Sequence, residues 1–172
     1  MRREWEDEFA AWARSRQGAL LRAAVLLTGD EASAQDLVQG ALIKVADRWG
    51  RLREERPDAY ARRIMYHDAV SVWRRHGRVE PRAEVPDRPV GDASEGWVAG
   101  ADVRQALMTL TPKQRGVLVL RYYEDLPEAE IADALGVGVG TVKSQAHVAL
   151  RRLREAMGRA GATPSGGGPG GL

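Results

Sequence analysis

The sequence predicts an all-α fold, two small helical domains joined by a flexible acidic linker, the second containing a helix-turn-helix. Three observations predict it. Apolar residues recur on a period near 3.6 in both halves of the chain. No segment alternates apolar and polar residues as a half-buried strand would. Between the halves, residues 79–100 carry Pro81, Pro86, Pro89, Gly91, Gly96 and Gly100 among scattered charges, the composition of a linker. The resulting plan is a first module over residues 1–78, the linker, a second module over 101–160 and a tail over 161–172 (GATPSGGGPGGL) with almost nothing to bury, expected to be disordered. A length of 172 residues suits one domain or two small ones.

In the first module, Leu20, Leu21, Ala24, Val25 and Leu27 form one apolar stripe, and Gly29 supplies the residue that commonly ends a helix. Asp30 and Glu31 open the next. That helix sets Ala34, Leu37, Val38, Ala41, Leu42, Val45 and Trp49 on a core stripe. Its opposite face gathers Asp36, Gln39, Gly40, Ile43 and Asp47; an outward Ile beside small and acidic groups suits protein docking, although a wet face with one stray Ile has the same composition. A third helix is expected from Pro57, a residue suited to a first turn, to about Arg75. Along it Tyr60, Arg62, Arg63, Tyr66, His67, Trp73, Arg74, Arg75 and His76 interleave rings with cations. Single-stranded nucleic acid needs that mixture, because bases stack on rings while Arg neutralises phosphates. Core aromatics under a solvated Arg face are the competing reading.

The second module has a sharper signature. Thr111, Pro112 and Gln114 match an N-cap, a first-turn Pro and a capping-box Gln, so a helix starts there and is expected to reach Tyr122. Residues 127–154 then read as a short helix with Ile131 and Leu135 inward, a break at Gly136 to Gly138, and a longer helix with Val142, Ala146, Leu150 and Leu153 inward. In a helix-turn-helix the second helix enters the major groove with its leading outward residues at base edges and phosphates. Those are Thr141, Lys143, Ser144, Gln145 and His147, with Arg151 and Arg154 placed for the backbone.

Charge agrees with a polyanionic partner. Of 26 basic residues only Lys44, Lys113 and Lys143 are Lys, and the rest are Arg, whose guanidinium binds phosphate bidentately. Residues 51–78 carry eight basic against four acidic groups and residues 131–172 five against two, whereas the linker carries two against five. Two basic patches thus flank an acidic middle, as expected of a chain that holds a polyanion at two places. The longest apolar run, Ala23 to Leu27, falls far short of the roughly 20 residues that cross a bilayer, so neither membrane insertion nor export is expected and the location is expected to be cytoplasmic. The absence of Cys excludes disulfides, Cys-type metal sites and a thiol nucleophile. Gly136, Gly138, Gly140 and Lys143-Ser144 do not make a phosphate loop, because Val142 precedes the Lys and a helix, not a strand, leads in. His67, His76 and His147 lack metal spacing. No catalytic centre, metal or cofactor is expected.

In this order, the segments ASAQDLVQGALIKVADRW (32–49), YARRIMYHDAVSVWRRHGR (60–78) and LTPKQRGVLVLRYYEDLPEAEIADALGVGVGTVKSQAHVALRRLR (110–154) resemble domain 2 and domain 4 of a bacterial sigma factor of the extracytoplasmic-function group. The resemblance covers nearly all of residues 5–158. It implies a promoter-specificity subunit of RNA polymerase, not an enzyme. Asp36, Leu37, Gln39, Gly40, Ile43 and Asp47 would dock on the beta-prime clamp helices, and domain 4 would meet the beta flap. Arg62, Arg63, Tyr66, His67, Trp73, Arg74 and Arg75 would capture unpaired minus-ten bases, with the loop Gly50 to Arg56 near a flipped base. Thr141, Lys143, Ser144, Gln145, His147, Arg151 and Arg154 would read duplex minus-thirty-five DNA. An anti-sigma factor is a further possible partner. The 22-residue linker reaches about 75 Å when extended, about 20 base pairs, enough for one chain to hold two promoter elements.

The sequence departs from that family pattern at Gly40, where an acidic residue is common, at His67 and Ser71, often Asn and Asp, and at Pro127 and Gly138, often Ser or Thr caps. Two other readings fit parts of the chain: a helix-turn-helix regulator that is not a polymerase subunit, and a polymerase-binding decoy.

Overall fold

The computed structural model describes residues 2–75 and 100–161, and all regular structure among them is helical. The first half contains α1 (Arg2–Thr28), α2 (Glu31–Asp47), a single helical turn α3 (Trp49–Leu52) and α4 (Pro57–Arg75). The second contains α5 (Ala101–Met108), α6 (Pro112–Leu118), a π-helical turn (Val119–Tyr123), α7 (Glu128–Leu135) and α8 (Val139–Gly161). The expected disorder of the tail and flexibility of the linker fall outside the described residues.

Local chemistry sets the boundaries. Gly29 stops α1 with a φ of +82°, a backbone conformation that favours glycine, and a Cβ there would lie 2.6 Å from the Met108 sulfur, which would have to shift. Asp30 then caps α2, its carboxylate accepting from the Ser33 amide at 2.8 Å. Pro57 occupies the first turn of α4. At α6 the capping box is complete: the Thr111 hydroxyl accepts from the Gln114 amide at 3.2 Å, and the Gln114 side chain accepts from the Thr111 amide at 3.3 Å. The expected helix from Thr111 to Tyr122 widens into the π turn after Leu118.

Two features depart from expectation. The segment Gly50 to Arg56, expected as a loop, begins inside α3. The first helix starts at Arg2, well before the stripe at Leu20. Its early turns place Phe9 and Trp12 against Trp49, each ring centroid 5.4 Å from that of Trp49, and Trp5 over the neighbouring Gly50. The Trp12 indole N–H donates to Asp58 at 3.1 Å and ties this wedge to α4.

Ala34, Val38, Ala41 and Val45 of α2 are buried against α1 and α4, as their spacing predicts. The core does not stop at the end of the first half. Ala61, Met65 and Tyr66 of α4 join Leu107, Leu110, Val117, Leu120 and Ile131 in one continuous apolar cluster. A fully buried side chain of this size contributes about 1.5–3 kcal/mol. The two halves therefore pack against each other, α4 on α6 and α7, and α1 on α5 and α6.

Candidate nucleic-acid and polymerase interfaces

The second half builds the turn on which α8 depends. Gly136 ends α7 in the left-handed region, φ +66° and ψ +36°, and the Val137 amide closes back on the Ala132 carbonyl at 3.0 Å. Pro127 caps α7 without any side-chain hydrogen bond. Ile131, Val142, Ala146 and Ala149 are buried and fix how α8 lies across α7. Rotation of α8 then turns Thr141, Lys143, Ser144, His147, Arg151 and Arg154 outward, all exposed. Gln145 is half-buried and stands at the edge of that face. The Ser144 hydroxyl donates to the Thr141 carbonyl at 3.1 Å, and Lys143 Nζ lies 3.7 Å from Glu128, which also accepts from Arg121 at 3.1 Å.

On α2 the outward face assembles as the spacing predicts. Asp36, Gln39, Ile43 and Asp47 are exposed, Ile43 by 55%. Among the described residues, no atom beyond its own stretch of helix lies within 4 Å of a Cβ placed on Gly40. Leu37 belongs more to the core than to this face, being half-buried and packed against the apolar cluster. Beside the face, Lys44 Nζ donates to Asp68 at 2.6 Å and fastens α2 to α4.

The α4 set divides. Arg63 and His67 are exposed. Tyr66 is a correction: expected as a ring for bases, it is fully buried, because its position faces inward onto α6 beside Gly116. Among the described residues its hydroxyl makes no hydrogen bond of good geometry. Burial, then the nearby Glu124 carboxylate, pushes the phenol well above the usual tyrosine range. Arg62 is half-buried, its Nε donating to Glu124 Oε2 at 2.6 Å. Burial pushes the Glu124 carboxyl up, against the opposing pull of the Arg62 guanidinium. The backbone of α4 continues through Trp73, Arg74 and Arg75, whose side chains lie outside the described residues, as does His76.

Sequence reasoning missed the groups that join the halves. Arg115 is only 7% exposed and donates to the carbonyls of Leu107 and Leu110 in its own half and of Leu27 in the other. An Arg beside the apolar run Val117 to Leu120 was the available signal, without any indication of what it meets. Glu124 gave no signal at all.

Family models match both halves: sigma-70 region 2 over residues 6–79 and sigma-70, region 4 over residues 106–155. The RNA polymerase sigma-E factor of Streptomyces coelicolor is 43% identical over 152 residues, spanning 87% of this chain and 86% of the relative. The chain belongs to the extracytoplasmic-function sigma factors of the sigma-70 family. The sigma factor SigL of Mycobacterium tuberculosis is 30% identical over 91% of this chain and 89% of its own length. In fold, this sigma factor is similar to the sigma factor RpoE of Bartonella quintana, solved with the anti-sigma factor NepR, with a TM-score of 0.67, 24% identity and coverage of 88% of this chain and 97% of that one. As a family member the protein is a promoter-specificity subunit that binds core RNA polymerase and promoter DNA, which displaces the reading as a free-standing regulator. Among the described residues no helix is long and apolar enough to cross a membrane.

Proposed function

We propose how the chain divides that work among its residues. The carrying observation is the outer face of α8, where Thr141, Lys143, Ser144, His147, Arg151 and Arg154 are exposed together behind a left-handed glycine turn. This face enters the major groove of the minus-thirty-five element, with Thr141, Ser144 and His147 at base edges and Lys143, Arg151 and Arg154 on phosphates. Gln145 contributes from its edge. On α4, Arg62, Arg63 and His67, continued by Trp73, Arg74 and Arg75, hold melted minus-ten DNA.

Asp36, Gln39, Gly40, Ile43 and Asp47 dock on the beta-prime clamp helices, Ile43 being the apolar anchor and Leu37 its support from beneath. A second, wholly apolar cleft between α1, α5, the π turn and α8, lined by Leu26, Leu107, Val119, Tyr122 and Leu153, suits the beta flap. An anti-sigma factor would compete for these surfaces. The protein carries out no chemical step of its own and works in the cytoplasm, where its polymerase is.

Run-off transcription with purified sigma-free core polymerase tests this. Initiation at a defined promoter only when the chain is added is the expected result. Binding to duplex DNA with neither polymerase association nor transcripts would defeat it, and association with core but no transcripts would mark a decoy.

A further inference from the structure

Among the described residues, the turns of α1 before Leu20 contribute no fully buried side chain. Their contacts converge instead on one short stretch, residues 49–58. Phe9 and Trp12 rest on Trp49, and the Trp5 ring lies so close over Gly50 that a Cβ there would stand 2.7 Å from it. Glu8 pairs with Arg53 Nε at 3.2 Å, and the same guanidinium lies over the Trp5 ring, 5.5 Å from its centroid. Asp58, in the first turn of α4, accepts from the Trp12 indole N–H at 3.1 Å and pairs with Arg16 Nε at 2.8 Å.

Within residues 50–56 little else fixes the chain. Leu52 is the buried anchor, the Arg53 amide closes on the Trp49 carbonyl at 2.9 Å and the Glu55 amide on the Leu52 carbonyl at 3.0 Å. The Arg51–Glu55 ion pair is exposed and therefore weak. Glu54, Glu55 and Arg56 face solvent. Arg56 nevertheless shares one wall of a cleft with Arg62 and Arg63, so the position of this stretch sets the spacing of three neighbouring guanidinium groups beside the α4 face.

We propose that Trp5, Glu8 and Trp12 are positioning residues for the melted-strand site: from α1 they hold residues 50–58 in one conformation before DNA arrives, so that an unpaired minus-ten base meets a wall already formed. This rests on the functional reading above, in which α4 holds the melted strand and the segment Gly50 to Arg56 lies near a flipped base. A segment ordered only on binding subtracts its lost freedom from affinity, whereas one ordered in advance does not. A wall that can shift also accommodates wrong bases, so selectivity falls together with affinity. If loss of the brace leaves the stretch competent about one tenth of the time, apparent affinity falls about tenfold.

The test uses Trp5→Ala, Trp5→Phe and Glu8→Ala, none of them at a DNA or polymerase contact. Since the chain has no Cys, Glu54→Cys supplies a unique nitroxide site, and the spectrum of the labelled full chain reads how firmly the stretch is held. Holoenzyme made with each unlabelled form is then mixed with fluorescent fork-junction DNA whose short single strand is randomised. Anisotropy reads affinity, and sequencing of the bound fraction reads base preference position by position. Trp5→Ala is expected to sharpen the nitroxide lines, to weaken DNA binding about tenfold and to flatten base preference at one position while the others keep theirs. Glu8→Ala is expected to act the same way by about threefold, although removing a negative charge would by itself favour DNA. Trp5→Phe, which keeps a ring over Gly50, should recover most of both losses. A merely structural defect would lower affinity without changing which base is preferred, and that result overturns the proposal. So does an immobile nitroxide in Trp5→Ala, or a mobile one with native base preference. If Trp5→Ala loses helicity by circular dichroism, Glu8→Ala decides. Native holoenzyme that prefers no base at any position strikes the functional reading itself, whereas a native preference that the variants leave untouched strikes only the brace.

Discussion

The Arg115 guanidinium on α6 donates to the carbonyl oxygen of Leu27, 88 residues earlier at the end of α1. The same group satisfies Leu107 at 2.9 Å and Leu110 at 3.1 Å, so one cation closes the ends of two helices in different halves. Burial pulls this guanidinium down to about 10, still protonated at neutral pH. Its folded value lies below that of the unfolded chain, so its contribution to stability rises with pH above about 10 and is flat below.

Arg115→Met is therefore expected to destabilise the protein by about 3 kcal/mol, because three carbonyls lose their donor in a dry site. Urea denaturation at pH 7 measures it. Arg115→Lys should recover less than half, an ammonium being unable to reach three carbonyls in a fixed fork. Equal stability of native and Met forms would mean that water replaces the guanidinium.

Tyr66→Phe removes a buried hydroxyl that makes no hydrogen bond of good geometry among the described residues. Stability at pH 7 is expected to stay level or to rise by up to about 1 kcal/mol. The alkaline limb gives the sign: the folded phenol ionises above the unfolded value near 10, so its stabilisation is complete below that pH and is lost as pH rises further. Denaturation series from pH 8 to 11 should show a shallower alkaline loss for Tyr66→Phe than for the native chain; identical slopes would contradict the buried placement.

Lys143→Ala and Arg151→Ala are each expected to weaken binding of minus-thirty-five duplex and to reduce the slope of log affinity against log salt by about 0.9, one phosphate contact apiece. Anisotropy titrations of holoenzyme with duplex DNA at several salt concentrations read both quantities. An unchanged slope in both variants would move the DNA face off α8.

On α2, Ile43→Asp should lower affinity for core polymerase at least tenfold while leaving helicity intact, since this side chain is more than half exposed and contributes little to the fold. Gly40→Ala offers the contrast. With open space around its Cβ and an interior helical position, it should stabilise the protein by about 1 kcal/mol. Surface plasmon resonance on immobilised core and thermal denaturation check the pair, and a rise in melting temperature with polymerase affinity kept would show that this glycine is not a contact requirement.

Local signals were legible because local chemistry causes them. The capping box at Thr111 and Gln114, the stops at Gly29 and Gly136 and the first-turn Pro57 all act within a few residues. The outward faces of α2 and α8 followed from spacing for the same reason. Interleaved rings and cations do not reveal which ring points inward, so Tyr66 reads wrongly from sequence; the packing of α4 on α6 and α7, far along the chain, decides that. The wedge of Trp5, Phe9 and Trp12 was overlooked because the acidic residues among them mask its period, and Trp49, which it serves, lies on another element. Contacts between the halves, Arg62 with Glu124 and Arg115 with Leu27, depend on a long-range arrangement that no window of sequence contains.

Glu128 has a quieter consequence. Its carboxylate is shared between Arg121 and Lys143, so the lysine that leads the outer face of α8 already has an anion beside it. A duplex approaching α8 must first exchange that resident carboxylate for one of its own phosphates. Sparse or isolated negative charges gain little from such an exchange, whereas a dense, regularly spaced row gains repeatedly, and the helix is thereby screened from casual anions before any base is read.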